Sequence, residues 1–149
     1  MIRELTAASV ALIALGACPF APQASAADGD QIVRIQDGKM RCLLSADYEG
    51  RGRAMAVCGL SDGAPFGASP MTTGKYPQPL NLVFAQGTGE TYWNLGTLPA
   101  SAAGDVVLGA GQTYSANGWT ITEGENQAVI RNDLVGHGII VDPVRWRGF

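Results

Sequence analysis

The chain has 149 residues, of which 15% are charged, and ten basic against thirteen acidic side chains give a formal net charge of -3. That balance supplies no broad positive field for phosphate backbones, so nucleic acid is not an expected partner. Twenty glycines and eight prolines favour tight turns over long helices, and three cysteines with a single histidine leave little for catalysis or metal binding; no cofactor and no catalytic residue is expected.

Residues 1–26 read as a secretion signal: Arg3, an apolar run from Leu5 to Ala17, then Ala24-Ser25-Ala26 ahead of Ala27, a small-residue cleavage site between Ala26 and Ala27. The run is shorter than the roughly 20 apolar residues that cross a bilayer as a helix, so no transmembrane span is expected. An alternative is processing at Leu15-Gly16-Ala17-Cys18, which would leave an acylated Cys18 and a membrane-anchored lipoprotein. The expected organisation is a signal over 1–26 and one secreted, extracellular β domain over 27–149. In an oxidising compartment the even pair Cys42 and Cys58 predicts a disulfide.

No window of the exported part carries a helical apolar repeat; short apolar or alternating runs are separated by glycine-rich breaks. Strands are predicted at 32–36 and 40–44 around Asp37-Gly38, a dipeptide suited to a two-residue hairpin turn. A third strand at 54–59 lies beside the second if the cysteines pair. Residues 61–79 hold Pro65, Pro70, Pro77 and Pro79 and predict the longest loop, running over the surface. Strands at 80–85 and 91–95 bracket Gly87-Thr88-Gly89, and further strands follow at 106–108, 112–115, 118–122, 128–131 and 139–141. About ten short strands predict an all-β fold: a single small sandwich or barrel of antiparallel strands.

The C-terminal third carries Leu108-Gly-Ala-Gly-Gln-Thr-Tyr114, Gly118-Trp119-Thr120-Ile121, Ala128-Val129-Ile130-Arg131-Asn132, Gly136-His137-Gly138 and a terminal Arg145-Trp146-Arg147-Gly148-Phe149. With the segments ending in Cys42 and Cys58, this resembles a family of small secreted actinobacterial proteins that has no assigned function. The resemblance implies an exported domain and brings no substrate, cofactor or partner. Ile121 and Ile130 stand where such proteins commonly carry a cysteine pair, which implies two facing strands that exchange a covalent link for a buried apolar contact.

Several residues are candidates for function. His137, between two glycines, can admit a close ligand or lock the entry to the last strand by bonding a neighbouring carbonyl. Asp28, Asp30, Glu123 and Glu125 lack the spacing of a calcium loop and are expected in solvated turns. Arg41, Arg51 and Arg53, with Arg145 and Arg147 around Trp146, can form a basic, aromatic-edged patch for an acidic polymer or a carboxylate, or be scattered surface charge. Tyr92 and Trp93 can line a groove, although adjacent strand residues face opposite ways; Trp119 is expected in the core. The leading expectation is a secreted or envelope-associated binding domain for an unknown protein or cell-envelope component, contacting it through 61–79 and the Tyr92-Trp93 region. The alternatives are a small secreted hydrolase using Asp or Glu groups and an inhibitor of an extracellular enzyme.

Overall fold

The computed structural model describes residues 29–149; Cys18 and the Ala26–Ala27 junction lie outside the described residues. Among the described residues eleven strands make up two open sheets, and neither closes into a barrel. One sheet takes β1 (Gln31–Ile35), β2 (Met40–Ser45), β3 (Met55–Leu60), β4 (Leu82–Gln86), β5 (Thr91–Asn94) and β6 (Val106–Val107), in the order β5-β4-β3-β2-β1-β6. The other takes β7 (Thr113–Ala116), β8 (Trp119–Glu123), β9 (Ala128–Asn132), β10 (Gly138–Val141) and β11 (Trp146–Gly148), in the order β11-β10-β9-β8-β7. The all-β expectation therefore holds, as a two-sheet arrangement compatible with a sandwich. Among the described residues no helix is long and apolar enough to cross a membrane.

Turn chemistry sets the first hairpin. Asp37 and Gly38 both have positive φ, 55° and 77°, and Lys39 N–H donates to the Gln36 carbonyl at 3.0 Å, closing the turn at the predicted dipeptide. The core row of this sheet runs straight across five strands: Val33, Cys42, Cys58, Val83 and Trp93 are successive register partners. Cys42 and Cys58 face each other with Cα atoms 4.1 Å apart, form the predicted disulfide and are fully buried. Across the core, Ile121 and Ile130 are also direct register partners and also fully buried. The two pairs are of the same kind. Ser61 N–H donates to the Lys39 carbonyl, and Asp133 N–H to the Gly118 carbonyl, which places Cys42–Cys58 and Ile121–Ile130 both at non-hydrogen-bonded positions of their ladders.

Four features depart from the expectations. First, β6 pairs with β1 in parallel, Val33 opposite Val106, because the segment after β5 crosses the outside of the sheet before joining the far edge. That segment is tied down by Asp105, which receives Arg34 at 3.2 Å and lies 3.8 Å from Arg41. Second, Arg41 is consequently buried and its guanidinium also donates to the Pro99 carbonyl, so it belongs to no surface patch. Third, the 61–79 segment does not simply cross the surface: Phe66 enters the core, edge-on to Trp93 at 5.3 Å, and Ala68 N–H donates to the Val144 carbonyl at 2.7 Å. Fourth, β11 is a strand that the sequence pattern did not predict, formed around Trp146.

Glu123 also corrects an expectation, since it is 3% exposed at the end of β8 and not in a solvated turn. Its Oε1 accepts the Gln36 backbone N–H at 3.0 Å and the Gln36 side-chain amide at 2.6 Å, while Oε2 is buried without a partner among the described residues. Burial raises its pKa above the ordinary 4.5, against the lowering effect of the Gln36 bonds. The folded state then holds this proton to higher pH than the unfolded chain does. The stability it contributes is complete below about pH 4.5 and is lost as pH rises through the folded value. Glu123→Gln removes the buried charge and is expected to match the parent in urea denaturation at pH 4 and to exceed it at pH 8, by about 1.4 kcal/mol for each pKa unit by which burial raises the group. Equal stability differences at both pH values would contradict this.

Candidate functional site

The six-stranded sheet is apolar on its outer face as well. Ile32, Leu43, Val57, Phe84 and Tyr92 are successive register partners across that face, displaced by one residue from the core row. The first four are buried, with Met55 and Leu82 beside them and Tyr48 and Leu98 packed over them. This is why every residue of β2 is buried. At the β4–β5 end the cover stops, and there it leaves a groove of about 320 Å³.

Three aromatic rings form one side of that groove. Tyr48 meets Phe84 edge-on at 5.9 Å, and Phe84 stacks on Tyr92 at 5.2 Å with 12° between the planes. Tyr48 stands in the turn between β2 and β3, where its N–H donates to the Arg53 carbonyl at 2.9 Å and the Asp47 carboxylate accepts the Gly52 N–H. The same turn places Glu49, Arg51 and Arg53 on the rim, with Leu95, Gly96 and Thr97 opposite. Arg51 pairs with Glu49 at 3.4 Å, both exposed, whereas Arg53 has no ion pair among the described residues. Burial, followed by the adjacent Glu49 charge, pushes the Tyr48 hydroxyl above its ordinary pKa.

The residues singled out by sequence separate into three groups. Tyr92 faces the groove, while its neighbour Trp93 points into the gap between the sheets and touches Trp146 at 5.6 Å. Trp146 is half-buried there. His137 Nδ1 lies 2.9 Å from the Phe149 carbonyl oxygen, and the His137 ring covers Gly89, where a Cβ would stand 3.3 Å from it. Trp93, Trp146 and His137 are thus brought together as the seam that joins the two sheets. Arg145 and Arg147 are exposed on the other sheet and line, with Trp146 as expected, a separate depression that also takes in Ile140, Asp142 and Gln127. Arg51 and Arg53 share no lining residue with them.

Tyr48 and Phe84 escaped the sequence reading. The only signal for Phe84 is its register with Tyr92, which needs the β4–β5 pairing, and Tyr48 sits in a polar turn where an aromatic ring is easily passed over. Chemically, the groove has one lining carboxylate, Glu49, already held by Arg51. Among the described residues no group of three His, Cys, Asp or Glu side chains could hold a metal ion. Comparison with family models, with curated proteins and with solved structures finds no match.

Proposed function

We propose that this chain is an extracellular or envelope-associated binding domain, related to the secreted family it resembles, and that its partner is a protein or envelope component carrying anionic groups. The observation that carries this reading is the groove itself. An open aromatic face at Tyr92, an Arg53 with no ion pair among the described residues and the polar Tyr48 hydroxyl line it together. Aromatic and arginine side chains are the residue types that dominate recognition surfaces. Stacking on Tyr92 supplies contact area, and the arginines supply orientation and selection for negative charge.

Retention of the purified domain on the envelope fraction of its source cells tests the reading. Tyr92→Ala and Arg53→Ala are each expected to weaken retention at least tenfold, about 1.4 kcal/mol, with Arg145→Ala and Arg147→Ala unchanged. Loss that follows Arg145 and Arg147, with the groove variants behaving as the parent, would move the site to the other sheet.

A second reading, inhibition of an extracellular enzyme, has its own observation. Residues 70–80 form a braced arm: Met71 bridges to Pro79, Thr72 N–H donates to the Gln78 carbonyl at 2.7 Å, and Leu80 N–H donates to the Pro70 carbonyl at 2.9 Å. The arm presents Tyr76, 76% exposed. A loop already held in shape loses little entropy on binding. Tyr76→Ala separates the two readings, because groove binding does not use that side chain.

A further inference from the structure

We infer that the partner is a protein that adds a strand to the six-stranded sheet along β5, through an extended segment that alternates acidic with apolar side chains. This rests on the groove being the binding surface and specifies what lies in it.

β5 is an edge strand, and the phase of its ladder can be read from one bond. Gln86 N–H donates to the Glu90 carbonyl at 2.8 Å, so Glu90, Tyr92 and Asn94 turn their backbone groups toward β4, and Thr91 and Trp93 turn theirs away. Among the described residues neither the N–H nor the C=O of Thr91 or Trp93 has a hydrogen-bond partner. The edge therefore offers two donors and two acceptors with the spacing of a strand, the arrangement to which an extended peptide adds.

Among the described residues nothing else takes these groups. The Phe66–Ala68 segment that closes the neighbouring gap directs its backbone bonds to Pro143 and Val144 instead. β11, which lies against β5 through the Trp146–Trp93 and Gly148–Thr91 contacts, belongs to the other sheet.

The surroundings of β5 then specify the added strand, whose side chains must alternate between the two faces of the sheet. Those on the outer face enter the groove beside Tyr92 and meet Arg53 and the Arg51–Glu49 pair, a rim with one net positive charge. Those on the inner face meet Trp93 and Trp146. Acidic residues suit the first set and apolar residues the second. Charge also argues against a second copy of this chain as the occupant, because Arg51 and Arg53 outnumber Glu49 on each rim and two such edges would bring like net charge together.

The probe is a capped hexapeptide of alternating Glu and Val, titrated against the intact domain by tryptophan fluorescence. Saturable binding is expected, with at least a tenfold preference over the Lys/Val counterpart that Arg51→Ala/Arg53→Ala abolishes. Two further peptides, N-methylated on one or the other alternate set of amides, should differ: the set facing β5 loses binding at least tenfold when methylated, and the other does not. Thr91→Pro removes an outward donor together with the side chain beside Gly148, so Thr91→Ala is its control: both are expected to match the parent in circular dichroism, and peptide binding falls at least tenfold in Thr91→Pro alone.

Equal binding by both methylated peptides, or no binding of the Glu/Val peptide, overturns strand addition. A parent that sediments as a dimer, separated by Thr91→Pro, assigns the edge to a second copy and also overturns it. Failure of the strand is distinguishable from failure of the groove. Methylation-insensitive binding that still needs Arg51 and Arg53 removes the strand and keeps the groove, whereas binding indifferent to those arginines removes both.

Discussion

Gly138→Ala is expected to be the most damaging single methyl group that can be added to this domain, costing more than about 3 kcal/mol and in practice preventing accumulation of folded protein. A Cβ at this position would fall on the Ile130 carbonyl oxygen and stand 2.8 Å from Ile130 C and 2.9 Å from Arg131 Cα. All three atoms are backbone of β9, the central strand of its sheet. They cannot yield without breaking the ladder in which Gly138 opposes Arg131 and Ile139 opposes Ile130. The other members of the Gly-His-Gly element behave differently. Gly136 has φ 77° with only the Arg131 side chain near a Cβ, so alanine there meets a conformational cost of about 1–2 kcal/mol. His137→Ala removes one exposed bond to the Phe149 carbonyl, worth about 1 kcal/mol. Urea denaturation of the three variants should therefore rank them Gly138, Gly136, His137 in order of decreasing damage. A Gly138→Ala protein within 1 kcal/mol of the parent would contradict the close approach of β9 and β10.

That ranking also explains what the sequence could and could not convey. Asp37-Gly38 and Gly87-Thr88-Gly89 announce hairpins because turn geometry is local and few residues tolerate it. The alternation of Trp119, Ile121 and Glu123 in β8 is equally local and points all three inward, but the charge of its last member masks it. A glutamate beside a glycine looks solvated, and only the β1–β2 turn, arriving from the other sheet with Gln36, buries it. Phe66 is hidden by its four neighbouring prolines in the same way: the composition reads as surface loop, while one ring returns to the core. The groove was half legible. Tyr92 and the 51–53 arginines stand out as residue types, but their meeting depends on the β3–β4–β5 pairing and on the second apolar row through Val57 and Phe84. A two-sided apolar sheet gives continuous runs in place of alternation, so the outer row cannot be told from the inner one by pattern alone.

Removing the disulfide is the second large effect. Cys42→Ala/Cys58→Ala is expected to lose about 3 kcal/mol, the chain-entropy value for a loop of this length, with the separation of 16 residues setting the loop. Thermal unfolding should fall by roughly 10 °C for a domain of this size. Cys42→Val/Cys58→Val should recover part of the loss, because the pair is fully buried and a branched apolar pair fills space that two alanines leave empty. The second sheet supplies the reciprocal experiment. Ile121 and Ile130 occupy the same non-hydrogen-bonded kind of position, where paired Cα atoms lie close enough for a disulfide. Ile121→Cys/Ile130→Cys should therefore oxidise without rearrangement, read as two missing thiols and a mass lower by two hydrogens. Stability near that of the parent is expected, since the new link offsets the isoleucine contact it replaces. Free thiols at 121 and 130 under oxidising conditions would mean that the two pairs are not equivalent. A stable Ala/Ala protein would mean that the first sheet, held by its two apolar faces, does not depend on the link at all. The expected result lies between these limits: β2 and β3 enclose a polar turn that carries the groove's rim, and the covalent bond holds that turn's two strands together while Tyr48, Arg51 and Arg53 stay placed for binding.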